Sequence, residues 1–126
     1  MISGVGVDLV EIQRIDALLR RYGERFARRV LCQLELDLFK LSSRPARFVA
    51  SCFAAKEAFA KALGTGLRHP VTLRAIRVDR DALGKPVLQF HHDLEQWLAD
   101  RGVGGAHLSL TDEAGMACAM VVLEKR

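Results

Sequence analysis

The segment from Phe53 to Gly66 has the sequence FAAKEAFAKALGTG. Lys61 follows Glu57 by four positions, so a helix over this segment places the ammonium and the carboxylate on the same face, one turn apart. The alanines around them are small, and we expect them to let a bulky ligand approach. A Glu/Lys pair at this spacing often does no more than stabilise an exposed helix, by about 0.2–0.5 kcal/mol. The segment therefore predicts a helix and leaves both a structural and a catalytic role open for its charged pair.

The helix around this segment is predicted to extend from Ala46 to Leu63, because its apolar residues keep a helical period. One face of this helix is expected to enter the core, and it consists of Phe48, Cys52, Ala55, Phe59 and Ala62. A separate face is expected to carry the chemistry, and it consists of Ala50, Ala54, Glu57 and Lys61. Gly64 and Gly66 predict the end of the helix, since a left-handed C-terminal cap favours glycine. Their backbone amides could also approach a phosphate.

A second acid, Asp8, follows the apolar run Ile2–Val7, which predicts a strand whose glycines allow another backbone to approach closely. Apolar residues from Val10 to Tyr22 recur at helical spacing, so a first helix is predicted almost directly after Asp8, with Gly23 as its stop. Two carboxylates and a lysine are typical of magnesium and phosphate chemistry.

The rest of the chain changes from helical to alternating patterns. Helices are predicted over residues 24–31, 34–40 and 93–101, and strands over 71–78, 87–90, 106–112 and 116–123. The whole chain, residues 1–126, is therefore predicted to be one α+β domain in which a long central helix packs on a mainly antiparallel sheet.

Composition excludes several classes of protein. Half of the 126 residues are hydrophobic, which argues against disorder, and no apolar run reaches membrane-spanning length. The N-terminus lacks the pattern of a secretion signal, so we expect a cytoplasmic protein without membrane insertion. The three cysteines are scattered and lack a C-x-x-C spacing, which argues against a disulfide framework and a zinc site.

The formal net charge is +4, and arginines are concentrated near the N-terminus: Arg14, Arg20, Arg21, Arg25, Arg28 and Arg29. A solvated helix and a nucleic-acid surface are both possible interpretations of such a run. The segment lacks the interleaved aromatic residues of a single-strand platform. An acidic protein partner fits the run at least as well, because complementary charge steers and orients such encounters. We expect that partner and no nucleic acid.

Three segments together resemble one known family. They are GVGVDLVEIQRI from Gly4, the segment Phe53–Gly66, and HLSLTDE from His107. In order and spacing they are similar to the holo-acyl-carrier-protein synthases, the short phosphopantetheinyl transferases of fatty acid synthesis. The resemblance covers essentially the whole chain, and its first two motifs are the specific ones. It implies the 4′-phosphopantetheinyl transferase fold and a homotrimer with active sites between subunits.

The resemblance also implies a reaction, in which 4′-phosphopantetheine passes from coenzyme A to a serine of apo acyl carrier protein and adenosine 3′,5′-bisphosphate is released. Asp8 and Glu57 match the family's acids for Mg²⁺, and Lys61 matches the lysine beside the pyrophosphate. Glu57 is the first candidate for the general base, and Glu35 is a second one. Catalytic roles are thus predicted for Glu57 and Lys61.

The resemblance also implies binding residues. For coenzyme A they are Lys61, Gly64, Gly66, Lys85, Pro86 and His107. For the carrier protein, Arg14 matches the family's basic residue. Arg21 and Arg25 are predicted to bind with it, because they lie on nearly the same face if the helix continues through Gly23.

Two positions depart from the family pattern, since many relatives have arginine in place of Cys52 and histidine in place of Asp112. Two other functions stay open: a non-catalytic module that holds an acidic carrier, and a small basic nucleic-acid binder.

Overall fold

The computed structural model describes all residues from Met1 to Arg126. Five strands and five α-helices follow one another as β1 (Ile2–Glu11), α1 (Ile12–Tyr22), α2 (Glu24–Val30), α3 (Gln33–Leu41), α4 (Pro45–Leu63), β2 (Ile76–Arg80), β3 (Pro86–Phe90), α5 (His92–Asp100), β4 (Val103–Glu113) and β5 (Met116–Lys125). This is the α+β class that the sequence predicts. No helix combines the length and apolar character needed to cross a membrane.

The strands form two antiparallel sheets around the central helix α4. One sheet has the order β1-β5-β4, and β2 and β3 form a separate hairpin. The inner face of the larger sheet is buried through alternate residues of β5, namely Ala117, Ala119, Val121 and Leu123. Because α4 packs across β1 and β5, this face and the helix together make the core.

Glycines on β1 and alanines on α4 bring these two elements unusually close. A Cβ atom built on Gly4 would lie 2.0 Å from the carbonyl oxygen of Ala62, and one on Gly6 would lie 2.0 Å from that of Ala58. The alanines of α4 therefore make room for a strand. The prediction that they leave room for a bulky ligand is wrong.

The helix α4 is also more enclosed than its sequence pattern predicts. Ala50 and Ala54, expected on a chemical face separate from the core, are as fully buried as Phe59. Glu57 and Lys61 remain partly or fully exposed among the residues of that predicted face. Small side chains let neighbouring elements close over both sides of the helix, which a helical period alone does not reveal.

Two element boundaries differ from the prediction. The first helix begins at Ile12, because β1 continues to Glu11 while paired with β5, and Val10 is a buried strand residue. The strand predicted over residues 71–78 begins only at Ile76, since a 3₁₀ turn over Leu73–Ala75 precedes it.

One ion pair lies in the core, between Lys56 and Glu35, and both side chains are fully buried. Lys56 Nζ donates to Glu35 Oε1 at 2.5 Å and to the carbonyl oxygen of Val30 at 2.7 Å. Glu35 also accepts hydrogen bonds from the backbone amides of Cys32 and Val78. The pair therefore joins α2, α3, α4 and β2, and its polar atoms have partners.

Candidate active site

Asp8 and Lys61 meet where β1 crosses α4. Lys61 Nζ donates to Asp8 Oδ1 at 2.9 Å and to the carbonyl oxygen of Val7 at 3.2 Å. The Asp8 side chain is 15% exposed and that of Lys61 is 54% exposed, so the pair lies at the surface with its carboxylate sheltered. The close packing of Gly4 and Gly6 on α4 sets this position. The two residues that the sequence places 53 positions apart are thus one ion pair.

Glu57 lies one helical turn before Lys61 and is part of the same charged group. Burial raises its pKa first, and the negative charge of Asp8 raises it further, while Lys61 opposes both effects. The hydrogen bond to Asp8, and then the charge of Asp8, raise the pKa of Lys61, so its ammonium stays charged at neutral pH. The structure therefore brings the three predicted catalytic and metal-binding residues together.

Asp8 and Glu57 are two negatively charged carboxylates whose charges interact, an arrangement that suits the binding of a divalent cation. Mg²⁺ commonly takes one or two carboxylates and completes its shell with water and substrate phosphates. Asp8 and Glu57 supply that number of acids, and Lys61 adds a positive charge beside them. The residues present therefore fit Mg²⁺ together with a phosphate-bearing substrate.

Glu35, the second candidate for the base, does not belong to this group. Its carboxylate is fully buried and bound by Lys56 and two backbone amides. A carboxylate in that position cannot meet a carrier serine without opening the core. Of the two candidate bases, only Glu57 therefore remains consistent with the structure.

Gly64 and Gly66 end α4 as predicted, with φ of 80° and 67°. Their amide groups donate to the carbonyl oxygens of Ala60 and Lys61, which closes the end of the helix. A phosphate would have to compete with those hydrogen bonds. Both glycines have open space where a side chain would be, so a ligand can approach their backbone closely.

A basic cleft that was not predicted from the sequence lies at the N-terminal end of α4. It has a volume of about 500 Å³, and its lining includes Pro86 and three arginines, Arg44, Arg47 and Arg80. Asp112, one of the two departures from the family pattern, pairs with Arg47 Nε at 2.9 Å and Nη2 at 2.8 Å. The arginines come from the start of α4 and from the β2–β3 hairpin, so no local motif marks the cleft.

This cleft and the Asp8–Glu57–Lys61 group are separate in one protomer. None of Asp8, Glu57 and Lys61 lines the cleft. Lys85 is exposed in the turn before β3, next to Pro86.

His107 is separate from both the cleft and the Asp8–Glu57–Lys61 group, because it lies on the outer face of the larger sheet. In the sheet, His107 pairs with Val122 of β5, and Val122 in turn pairs with Val5 of β1. The His107 side chain forms an ion pair with Glu124 when it is protonated. The predicted alternation of β4 is confirmed, since Leu108 is buried and His107 is exposed. The structure does not bring His107 together with Asp8 within the protomer.

The predicted carrier-binding arginines lie on two helices rather than one. Gly23, with φ of 60°, ends α1 and separates Arg14 and Arg21 from Arg25 on α2. The guanidinium of Arg21 lies 5.3 Å from the centre of the Tyr22 ring. A groove of about 420 Å³ runs between the helices and is lined by Leu18, Tyr22, Arg25, Phe26 and Arg29. The surface is thus basic with an apolar centre.

Cys52, the other departure, is a core residue without charge. Its side chain is buried, and burial, followed by the charge of Glu35, strongly raises the pKa of the thiol. The thiol stays protonated at neutral pH and supplies no substitute for an arginine. All three cysteines are free.

Comparison with known proteins finds one family. Residues 4–119 match the model of the 4′-phosphopantetheinyl transferase superfamily. The chain is 54% identical to the holo-[acyl-carrier-protein] synthase of Nitrosospira multiformis over 125 residues, which cover 99% of this chain and all of that protein.

Solved structures agree with this match. The crystal structure of the holo-[acyl-carrier-protein] synthase from Neisseria meningitidis has a TM-score of 0.96 at 44% identity, covering 99% of this chain and 100% of that one. A synthase from Bacillus anthracis in complex with coenzyme A (3′,5′-ADP) has a TM-score of 0.83 at 37% identity, covering 100% of this chain and 99% of that one. The similarity therefore extends over the full length in both sequence and fold.

Proposed function

The chain belongs to the 4′-phosphopantetheinyl transferase superfamily, and from that premise we propose that it is a holo-acyl-carrier-protein synthase that depends on Mg²⁺. It transfers 4′-phosphopantetheine from coenzyme A to a serine of apo acyl carrier protein in fatty acid biosynthesis, and adenosine 3′,5′-bisphosphate leaves. The observation that carries the proposal is the meeting of Asp8, Glu57 and Lys61 across β1 and α4 in a chain similar to such synthases over its whole length. The reaction belongs in the cytoplasm, where we place the protein.

Asp8 and Glu57 are the residues that would hold the metal. When bound, Mg²⁺ supplies charge neutralisation and orientation at the pyrophosphate oxygens. Phosphoryl transfer depends mainly on such positioning and charge stabilisation. The negative charges of Asp8 and Glu57 repel each other, and a bound cation relieves that repulsion, which supports this assignment.

Glu57 acts as the general base and Lys61 as the phosphate-binding cation. A raised pKa brings the Glu57 carboxylate closer to the range in which a base accepts a proton from a serine hydroxyl. Lys61 keeps its charge at neutral pH, so it stabilises the departing phosphate. The Asp8 carboxylate holds the Lys61 ammonium in place through the 2.9 Å hydrogen bond.

Coenzyme A is bound by residues near both ends of α4. Lys61, Gly64 and Gly66 serve the pyrophosphate side. The 3′-phosphate and adenine are assigned to the basic cleft with Pro86, together with Lys85 and His107, because arginines at the cleft match a phosphate in charge and geometry. Arg44 and Arg80 are the freer cations there, since Arg47 is paired with Asp112.

The carrier protein docks on α1 and α2. Arg14, Arg21 and Arg25 are exposed and positively charged, which suits an acidic partner. The groove with Leu18 and Phe26 between them can receive an apolar side chain of that partner.

Assembly into a homotrimer would join the separate parts of the site. The outer face of the β1-β5-β4 sheet exposes Val5, Val7, Leu9 and Met120, with exposed fractions of 58%, 57%, 61% and 47%. Adjacent apolar residues of this size on one face are typical of an interface. Since the basic cleft and the Asp8–Glu57–Lys61 group do not meet within one protomer, we place each active site between two subunits.

Mass spectrometry of an apo acyl carrier protein tests the proposal directly. The carrier is incubated with this protein, coenzyme A and Mg²⁺, with Glu57→Gln and a chelator as controls. We expect a phosphopantetheine adduct on the carrier serine that both controls abolish. No adduct on any of several carriers, with a folded protein that binds them, would instead support a non-catalytic carrier-binding module.

A further inference from the structure

A second group of metal-binding side chains lies at the start of α5. His91, His92 and Asp93 each offer one ligand atom, and these atoms lie within 4.8 Å of one another. Nε2 of His92 is 3.2 Å from Oδ1 of Asp93, and Nδ1 of His91 is 3.7 Å from Oδ2 of Asp93. In a tetrahedral site with ligands at about 2.0–2.1 Å, neighbouring donor atoms lie roughly 3.3–3.4 Å apart. The two distances end on different oxygens of Asp93, so a single ion requires a rotation of these exposed side chains that brings the three ligand atoms from within 4.8 Å to that spacing.

The imidazole of His91 presents a lone pair to this group. His91 is the residue before the first turn of α5, and its Nδ1 accepts a 3.3 Å hydrogen bond from the backbone amide of Asp93. A ring nitrogen that accepts a hydrogen bond carries no proton, which is the state that a metal ion binds. The backbone of His91 is itself fixed, since its amide donates to the carbonyl oxygen of Ala75 at 2.9 Å.

An ion can reach the three residues without any opening of the fold. The exposed fractions of the side chains are 52% for His91, 82% for His92 and 70% for Asp93. The centres of the two imidazole rings are 4.1 Å apart, and the ring planes are tilted by 35°. No member of this group belongs to the site of the transfer reaction described above.

We propose that His91, His92 and Asp93 form a surface site for a divalent transition-metal ion of the class of Zn²⁺, Ni²⁺ and Cu²⁺. These ions bind imidazole nitrogen well, whereas Mg²⁺ prefers oxygen ligands. The site is therefore chemically distinct from the Asp8–Glu57 pair. Two imidazoles and one carboxylate leave a coordination position for water or for a side chain of another protein. Binding replaces one long hydrogen bond, the one from the Asp93 amide to His91.

Titration calorimetry with Ni²⁺ tests the site on untagged protein in excess Mg²⁺. The variants are His92→Gln, His91→Ser and their combination; serine keeps a side-chain acceptor at the start of the helix, so α5 is retained. We expect one ion per chain, at least tenfold weaker binding in each single variant, and no binding in the double variant. Circular dichroism verifies that the variants are folded.

Glu57→Gln is the matched control, because it alters the other proposed metal site. It should bind Ni²⁺ with unchanged affinity, and the double histidine variant should keep the transferase activity of the unaltered protein. Equal affinity in the unaltered protein and the double variant would overturn the inference, as would binding that Glu57→Gln abolishes. Neither result depends on whether the transfer reaction takes place.

Discussion

At the scale of single residues, the chemical role proposed for Glu57 is accompanied by a cost in stability. An acid with a raised pKa in the folded state stabilises the fold below its ordinary pKa, and this contribution is lost as the pH rises through the raised value. The ionised Glu57 is therefore destabilising at neutral pH. We predict that Glu57→Gln loses transferase activity yet melts at a higher temperature than the unaltered protein at pH 7.5 with chelator.

The pH dependence of that difference identifies its cause. Below about pH 4 both Glu57 and its glutamine replacement are neutral, so the melting temperatures should converge as the pH falls. Thermal melts from about pH 4 to pH 8 measure this directly. A variant that melts lower than the unaltered protein at pH 7.5 would show that Glu57 contributes to the fold through contacts other than its charge.

Lys56, next to Glu57 in the chain, has a structural role. Its side chain is fully buried with that of Glu35, and removing one partner of such a pair leaves an uncompensated buried charge. We predict that Lys56→Met destabilises the fold by about 3–5 kcal/mol in urea unfolding. Adding Glu35→Gln should recover part of the loss, because glutamine removes the stranded charge and still offers an acceptor.

A surface pair provides the comparison for this prediction. Arg20 pairs with Asp16 at 2.8 Å, and the Arg20 side chain is 80% exposed. Arg20→Met should leave the urea midpoint nearly unchanged, since water solvates the remaining carboxylate. Equal losses in Arg20→Met and Lys56→Met would contradict the explanation by burial.

At the scale of elements, the contact between β1 and α4 determines where Asp8 lies. We predict that Gly6→Ala destabilises the fold by about 3 kcal/mol or more, because the new Cβ atom would meet a backbone carbonyl oxygen at 2.0 Å that cannot move alone. In any folded fraction, Asp8 should move away from Lys61 and activity should fall.

Gly105→Ala is the matched control for this substitution. A Cβ atom on Gly105 would have its nearest neighbours at 3.7 Å, which is ordinary contact. Its unfolding free energy should change by less than about 1 kcal/mol. A stable Gly6→Ala variant with normal activity would show that the strand and the helix can separate without harm to the site.

The helix α4 could be predicted from its sequence because its signals are local: a helical period, a Glu/Lys pair and a terminal glycine. The end of β1 could not, since the stretch after Asp8 fits both a strand and a helix. Pairing with β5, more than a hundred positions away, decides for the strand as far as Glu11. Lys56 illustrates the same limit, because only the assembled core shows that its charge meets Glu35.

The two helices α1 and α2 are predicted to act together in carrier binding. Arg21→Ala and Arg25→Ala should each raise the KM for the carrier several-fold at low salt while changing kcat little, because exposed charges mainly steer and orient a partner. Steady-state kinetics at two salt concentrations measures this. Arg20→Ala is the control, since Arg20 is already paired with Asp16; an equal effect there would indicate a nonspecific loss of charge.

At the scale of the whole molecule, the protomer leaves two surfaces incomplete. The outer sheet face exposes Val7 and Met120, and the basic cleft lies apart from Glu57. A trimer with sites between subunits would complete both. Val7→Lys and Met120→Lys should give folded monomers without activity in sedimentation and transfer assays. Leu83→Lys, at a position 95% exposed in a turn, should leave the trimer intact.

Mixed trimers distinguish sites between subunits from sites within one subunit. Glu57→Gln removes the proposed base, and Arg44→Ala weakens the proposed binding cleft, so each variant alone should have little activity at low coenzyme A concentration. If every site takes Glu57 from one subunit and Arg44 from its neighbour, random mixing of equal amounts leaves about one quarter of the sites with both residues intact. Co-expression of the two variants should then restore about one quarter of the full activity. If both residues served one site within a subunit, mixing would restore nothing, because no chain in the mixture carries both.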